Sequence, residues 1–60
     1  MSINYQYRIQ IRQGHRRYWQ TKYAVDNRAQ AVLLYEGVNI GNGWQKRLMH
    51  RTGLLARAES

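Results

Sequence analysis

The chain has 60 residues, contains no cysteine and carries a formal net charge of +7 at pH 7. This length allows one small domain over residues 1–60, and such a domain buries only about 60% of the surface that its unfolded chain exposes. Without cysteine the chain has no disulfide bonds or thiolate metal sites, so we expect self-association or a partner to supplement the small core. No apolar stretch approaches the roughly 20 residues of a membrane span, and the N-terminal residues lack the pattern of a secretion signal. We therefore expect a cytoplasmic location and no membrane partner.

The cationic residues are eight arginines and two lysines, and they face only three acids. This excess attracts polyanions, and the bias toward arginine favours phosphate, which a guanidinium group can bind through two parallel hydrogen bonds. Five tyrosines and two tryptophans distinguish the chain from a disordered basic tail. The composition therefore predicts a folded module whose partner is nucleic acid, DNA in preference to RNA.

Residues 4–13 alternate strictly between apolar and polar side chains, which predicts a half-buried strand. Gln13, Gly14 and His15 predict a turn, and residues 16–25 alternate again, which predicts an antiparallel second strand. The apolar face of this hairpin is expected to carry the aromatic and aliphatic side chains Tyr5, Tyr7, Ile9, Ile11, Trp19, Tyr23 and Val25. The polar face is expected to carry Arg8, Arg12, Gln20 and Lys22.

A helix is predicted from residue 28 to about residue 39, with Asp26 or Asn27 as its N-terminal cap. Its expected core stripe consists of residues three or four apart, namely Ala29, Val32, Leu33, Glu36 and Ile40. The remaining apolar residues of the helix would be left for a second contact: Ala31, Leu34, Tyr35 and Val38. We therefore expect a homo-oligomer through this leftover face. Gly41-Asn42-Gly43 is expected to end the helix.

Two interpretations of residues 44–58 stay open. With a period of two, the segment forms a strand from Trp44 to Arg51, a turn at Thr52-Gly53 and a return strand from Leu54 to Arg57. With a period of 3.6 it forms a second helix. Gly53 favours the turn, because glycine costs about 1 kcal/mol inside a helix relative to alanine. The predicted fold is α+β: a small antiparallel sheet, made of a β-hairpin and one or two C-terminal strands, with one helix packed on its apolar face.

Catalytic sites based on carboxylates need acids that lie together, whereas Asp26, Glu36 and Glu59 are scattered along the chain. His15 and His50 lack the paired spacing of metal ligands. We therefore expect no catalytic residue, no metal and no cofactor. Gly14-His15 before a predicted strand resembles the catalytic turn of small toxin ribonucleases of the HicA type. That resemblance implies a further hypothesis, a metal-free ribonuclease with His15 as general acid or base.

The strongest functional signal is a basic patch on the predicted hairpin. Arg8 and Arg12 lie on one face of the first strand, about 13 Å apart at roughly 3.3 Å per residue. Arginine and glutamine are residue types that bind guanine and adenine edges, and a two-stranded ribbon can enter the major groove. A second cluster follows at Lys46, Arg47, Arg51 and Arg57. The predicted nucleic-acid-binding residues are Arg8, Gln10, Arg12, His15, Arg16, Arg17, Gln20, Lys22, Lys46, Arg47 and Arg51.

An arginine- and glutamine-rich sheet followed by one helix, over about residues 4–40, is similar to the arm-site DNA-binding domains of phage-type integrases, which implies docking of the sheet in the major groove. Tyr18 and Trp44 are candidates for stacking on unpaired bases, although so small a domain favours both Trp19 and Trp44 in its core. Charge alone does not separate a phosphate backbone from a carboxylate-rich surface. A small phage-like or regulatory module that binds or inhibits an acidic protein partner therefore stays open as the alternative function.

Overall fold

The protein folds as a four-stranded antiparallel sheet with one helix on one face, in a computed structural model that describes residues 5–14 and 16–60. Its elements are β1 (Tyr7–Gln13), β2 (Gln20–Val25), α1 (Arg28–Gly37), β3 (Trp44–His50) and β4 (Gly53–Glu59). The strand order across the sheet is β2-β1-β3-β4, so β1 and β3 are the central strands. Within these residues, no helix has the length and apolar character needed to cross a membrane. The predicted α+β class is confirmed.

The sheet consists of two hairpins, one formed by β1 and β2 and the other by β3 and β4. The C-terminal segment forms β3 and β4, so its interpretation as a strand hairpin is confirmed and the second helix is wrong. Gly53 follows the turn with a φ of +150°, a backbone geometry that favours glycine. Antiparallel pairing of β1 with β3 then joins the two hairpins into one sheet.

The N-terminal hairpin differs from the prediction at the start of β1 and at its turn. Strand β1 begins at Tyr7, three residues after the predicted start at Asn4, which lies outside the described residues. Gly14 has the expected positive φ of +46°, but β2 begins only at Gln20. Strand β2 therefore begins four residues after its predicted start at Arg16.

A β-bulge changes which side chains share a face of the sheet. Ile9 pairs with Tyr23 but Gln10 pairs with Thr21, so Lys22 is the extra residue of β2. Beyond the bulge, the alternation of β2 is reversed relative to β1. For this reason the predicted apolar face is wrong at Trp19, which instead lies with Arg12 on the opposite side of the sheet.

The core lies between α1 and one face of the sheet. Its buried members come from both layers: Tyr7, Ile9, Ala31, Tyr35, Val38 and Leu48. Burial raises the pKa of the Tyr35 hydroxyl above its ordinary value, because the ionised form would lose water there. Tyr5, predicted to share this apolar face, is 40% exposed.

The helix presents a different stripe to the core than the sequence predicted. Ala31, Tyr35 and Val38 are buried, and Leu34 is partly buried against them. Leu33, predicted as a core residue, is 71% exposed. Both stripes have helical spacing, so periodicity alone could not choose between them. The homo-oligomer stays a prediction, but the four residues on which it was based belong to the core.

Side-chain capping at one end and backbone conformation at the other account for the bounds of α1. Asn27 is the cap, and its side-chain oxygen accepts a hydrogen bond from the backbone N–H of Gln30 at 3.0 Å. Asp26 instead accepts a hydrogen bond from the backbone N–H of Gln6 at 3.2 Å. The helix ends at Gly37, two residues before the predicted end, because Val38 turns to an extended conformation.

We expect Asn27→Ala to lower the free energy of unfolding by about 1 kcal/mol, because the N–H of Gln30 loses its acceptor. Urea denaturation followed by circular dichroism measures this change. Asn39→Ala is the matched control, because Asn39 is exposed and lies outside the helix. Equal effects from the two substitutions would contradict the assignment of Asn27 as the cap.

Candidate nucleic-acid interface

The sheet face opposite α1, called the open face here, is rich in arginine and glutamine. Strand register places its members on all four strands: Thr21 and Ala24 on β2, Arg8, Gln10 and Arg12 on β1, Gln45, Arg47 and Met49 on β3, and Leu54 and Arg57 on β4. Trp19, which precedes β2, joins them through its contacts with three of these arginines. At the register position opposite Gln45, Glu59 adds one acid at the end of β4. The open face therefore carries four arginines against a single carboxylate.

Three of these arginines surround one aromatic ring, and we call Arg12, Arg47, Arg57 and Trp19 the arginine cluster. The guanidinium carbons lie 4.6 Å (Arg12), 4.3 Å (Arg47) and 5.9 Å (Arg57) from the centroid of the indole ring. These distances are typical of cation–π contacts, which stabilise a guanidinium over an aromatic face. The half-buried Trp19 thus holds three like charges side by side.

The like charges oppose one another on the sheet. Arg47 and Arg57 occupy directly paired positions on β3 and β4, an arrangement that normally destabilises a sheet. Partial burial lowers the pKa of Arg47, and the positive charges of Arg12 and Arg57 lower it further. Arginine still remains charged at neutral pH. The cluster is therefore an uncompensated concentration of positive charge.

Glutamine side chains, not carboxylates, orient the cluster. The Nε of Arg12 donates to Gln45 Oε1 at 2.8 Å, and Arg57 Nη2 donates to the same oxygen at 3.2 Å. The Nε of Arg47 donates to Gln10 Oε1 at 2.7 Å. Because an amide carries no charge, these bonds fix the guanidinium groups without neutralising them. An incoming anion would meet arginines that are already in position.

A groove of about 360 Å³ adjoins the cluster on the open face. Arg47 belongs to both the groove and the cluster, and its hydrogen-bond partner Gln10 also lines the groove, together with Arg8 and Met49. The remaining lining residues lie just before β1 and at or just after the end of β3: Tyr5, Gln6, His50 and Arg51. The groove thus combines guanidinium and amide groups with an apolar thioether side chain.

The connection between β1 and β2 adds exposed residues beside the cluster. Arg16 and Tyr18 line a small pocket of about 160 Å³ with Arg12 and with three residues whose register positions belong to the helix side of the sheet, Gln13, Gln20 and Trp44. Tyr18 is 76% exposed, and Arg16 and Arg17 are exposed as well. His15, a predicted binding residue and the hypothetical ribonuclease residue, lies outside the described residues.

Three other predicted binding residues do not lie on the open face. Gln20 pairs with Ile11, so its register position belongs to the helix side of the sheet. Lys22 is the bulge residue and lines a pocket with Ile11, Val38 and Ile40. Lys46 is also on the helix side, where its Nζ donates to the carbonyl oxygens of Tyr35 at 2.8 Å and Val38 at 3.0 Å. Arg51 is exposed in the turn before β4 and lies at the rim of the groove.

Sequence reasoning missed Trp19 and Gln45 as members of the open face. It named Arg57 in the second basic cluster but not among the predicted binding residues, and the structure pairs Arg57 with Arg47. Trp19 had no signal in the sequence, because the bulge at Lys22 reversed its face. Gln45 had none either, since its role depends on the register between β1 and β3.

Among the described residues, no group of three or more His, Cys, Asp or Glu side chains could hold a metal ion. His50 lies against the ring of Tyr7, with centroids 4.8 Å apart, and its Nδ1 is 2.7 Å from the hydroxyl oxygen of Thr52. Comparisons with known protein families, with curated proteins and with solved structures return no match for this chain.

Proposed function

We propose that this protein is a nucleic-acid-binding module that docks its open face on the phosphate backbone, acts in the cytoplasm and performs no catalysis. The observation that carries the proposal is the arginine cluster, in which three guanidinium groups surround Trp19 and, among the described residues, donate side-chain hydrogen bonds to glutamines alone. Like charges placed together cost stability, and a bound polyanion removes that cost by neutralising them.

The geometry of the hydrogen bonds supports phosphate as the ligand group. Among the described residues, Arg12 and Arg47 use only their Nε–H groups in hydrogen bonds to side chains. The terminal amino groups of both remain free to donate, and a guanidinium fork suits the oxygens of a phosphate. Arg8, about 13 Å from Arg12 along β1, extends the contact toward the groove.

The alternative, an acidic protein partner, would use the same arginines, since a guanidinium group also binds carboxylates in pairs. The position of Trp19 and the exposed Tyr18 favour nucleic acid, because aromatic rings stack on bases and carboxylates offer no ring. Poly-L-glutamate is the probe that separates the two. A nucleic-acid binder keeps its oligonucleotide when this polymer is added at equal charge concentration.

We expect the double substitution Arg12→Ala, Arg47→Ala to weaken oligonucleotide binding at least tenfold while the fold is retained. Each arginine that contacts a phosphate also contributes about 1 to the slope of log affinity against log salt. The slope should therefore fall in magnitude by about 2. Fluorescence anisotropy of a labelled oligonucleotide, from about 50 to 200 mM salt, measures both quantities.

The control is Arg28→Ala with Lys22→Ala, which removes the same charge from exposed positions off the open face. This control should change affinity less than threefold. Equal losses in the two double variants would mean that net charge alone drives binding. No binding of wild-type protein to any oligonucleotide at about 50 mM salt would overturn the proposed function.

A further inference from the structure

We propose that the nucleic acid on the open face is a single strand, RNA or DNA, whose unpaired bases stack on the arginine cluster around Trp19 and enter the adjoining groove. This inference rests on the proposed function and specifies its ligand. It replaces the predicted docking of a hairpin ribbon in the major groove of a duplex.

The first argument is the shape of the sheet. The arginines of the open face come from the two central strands, β1 and β3, and from the edge strand β4. At a spacing of about 4.8 Å, the outer axes of these three strands lie about 10 Å apart, against about 5 Å for the two strands of a ribbon. The arginines are therefore spread over a broader surface than the predicted hairpin ribbon presents, and a flexible single strand can follow them across the sheet.

The second argument is the position of the aromatic residues. A single strand is bound where cationic groups follow the backbone and aromatic side chains stack on its bases. Trp19 lies within the arginine cluster, where the guanidinium groups of Arg12 and Arg47 stand over its ring, and an unpaired base can stack on such guanidinium planes. A duplex offers its bases only as groove edges, so rings placed on a sheet surface would find no base plane to stack on.

The third argument is the groove next to the cluster. Its volume of about 360 Å³ lies at the lower end of the range for small-ligand pockets, about 300–1,000 Å³. Gln10 and Arg47 supply polar groups and Met49 an apolar surface. Such a mixture suits a base, whose faces are apolar and whose edges carry hydrogen-bonding groups. Only an unpaired base can turn out of its strand into this groove.

The first experiment compares four labelled probes of one mixed sequence, about 12 nucleotides long. They are single-stranded RNA, single-stranded DNA and the two corresponding duplexes, and anisotropy at about 150 mM salt gives each affinity. We expect at least one single strand to bind ten times more tightly than either duplex. The RNA and DNA results show which sugar is preferred. A duplex that binds as tightly as both single strands would overturn this inference and leave the proposed function standing, whereas loss of all binding at low salt would overturn both.

The second experiment uses Trp19 as a reporter. Trp44→Phe leaves Trp19 as the sole tryptophan, and base stacking is expected to quench its fluorescence when a single strand binds. Trp19→Ala should weaken single-strand binding about fivefold or more, with duplex binding changed less, while Trp19→Phe restores most of the loss. Circular dichroism checks that each variant is folded. Unquenched Trp19 in the bound state, or equal losses for single strand and duplex, would show that the ring serves only to hold the arginines.

Discussion

Leu48→Ala is expected to lower the free energy of unfolding by about 2–5 kcal/mol, the usual cost of truncating a buried leucine. Leu48 is 3% exposed and sits on central strand β3, where Ile9 and Ala56 occupy the paired positions on either side. A domain of this size has a total stability of about 3–9 kcal/mol. The substitution should therefore remove a large fraction of the total stability. Urea denaturation monitored by circular dichroism gives the change directly.

Leu33→Ala is the matched control, because it makes the same substitution at a side chain that is 71% exposed. It should change stability by less than about 0.5 kcal/mol, since surface substitutions usually fall in this range. Periodicity alone placed Leu33 in the core stripe and left Leu34 and Tyr35 outside it. A larger loss from Leu33→Ala than from Leu48→Ala would favour that predicted stripe over the observed one.

The fold was largely predictable because both ends of the chain alternate with period two. Alternation predicted β1 and β2 and gave the C-terminal hairpin as one of two open interpretations, and Asn27 was one of two expected caps for α1. The strand order was not predictable, since antiparallel pairing of β1 with β3 depends on long-range packing. The face of α1 that packs on the sheet could not be predicted either, because apolar residues occupy two helical faces with equally good spacing.

The binding surface was predictable only in part. Arg8 and Arg12 were placed together by the spacing within one strand, and the structure agrees. Lys22 and Trp19 were misplaced because a bulge adds one residue to β2, which reverses the alternation beyond it. Lys46 and Arg47 were grouped although adjacent residues of a strand point to opposite faces. The interpretation of residues 44–51 as a strand already implied that Lys46 and Arg47 lie on opposite faces of the sheet.

Lys46→Met and Arg47→Met should therefore give opposite results, although the two residues are neighbours in sequence. Lys46 donates to the carbonyl oxygens of Tyr35 and Val38 at the C-terminal end of α1, and its Nζ lies 4.6 Å from the centroid of the Tyr35 ring. Hydrogen bonds to a charged group contribute about 1.5–3 kcal/mol, and the cation also stabilises the negative end of the helix dipole. Lys46→Met should lower the free energy of unfolding by about 2 kcal/mol. Oligonucleotide affinity, corrected for the folded fraction, should fall less than threefold.

Arg47→Met removes a like charge that directly opposes Arg57, so stability should stay within about 0.5 kcal/mol of the wild type or rise. Affinity should fall about fivefold or more, because the cluster loses the guanidinium that lies nearest to Trp19. Urea denaturation and anisotropy on the same two variants measure both quantities. The two substitutions remove the same charge from one strand, so net charge cannot produce a difference in binding between them. If Lys46→Met weakens binding as much as Arg47→Met while leaving stability unchanged, then Lys46 contacts the ligand and does not cap the helix, and the open face alone cannot be the interface.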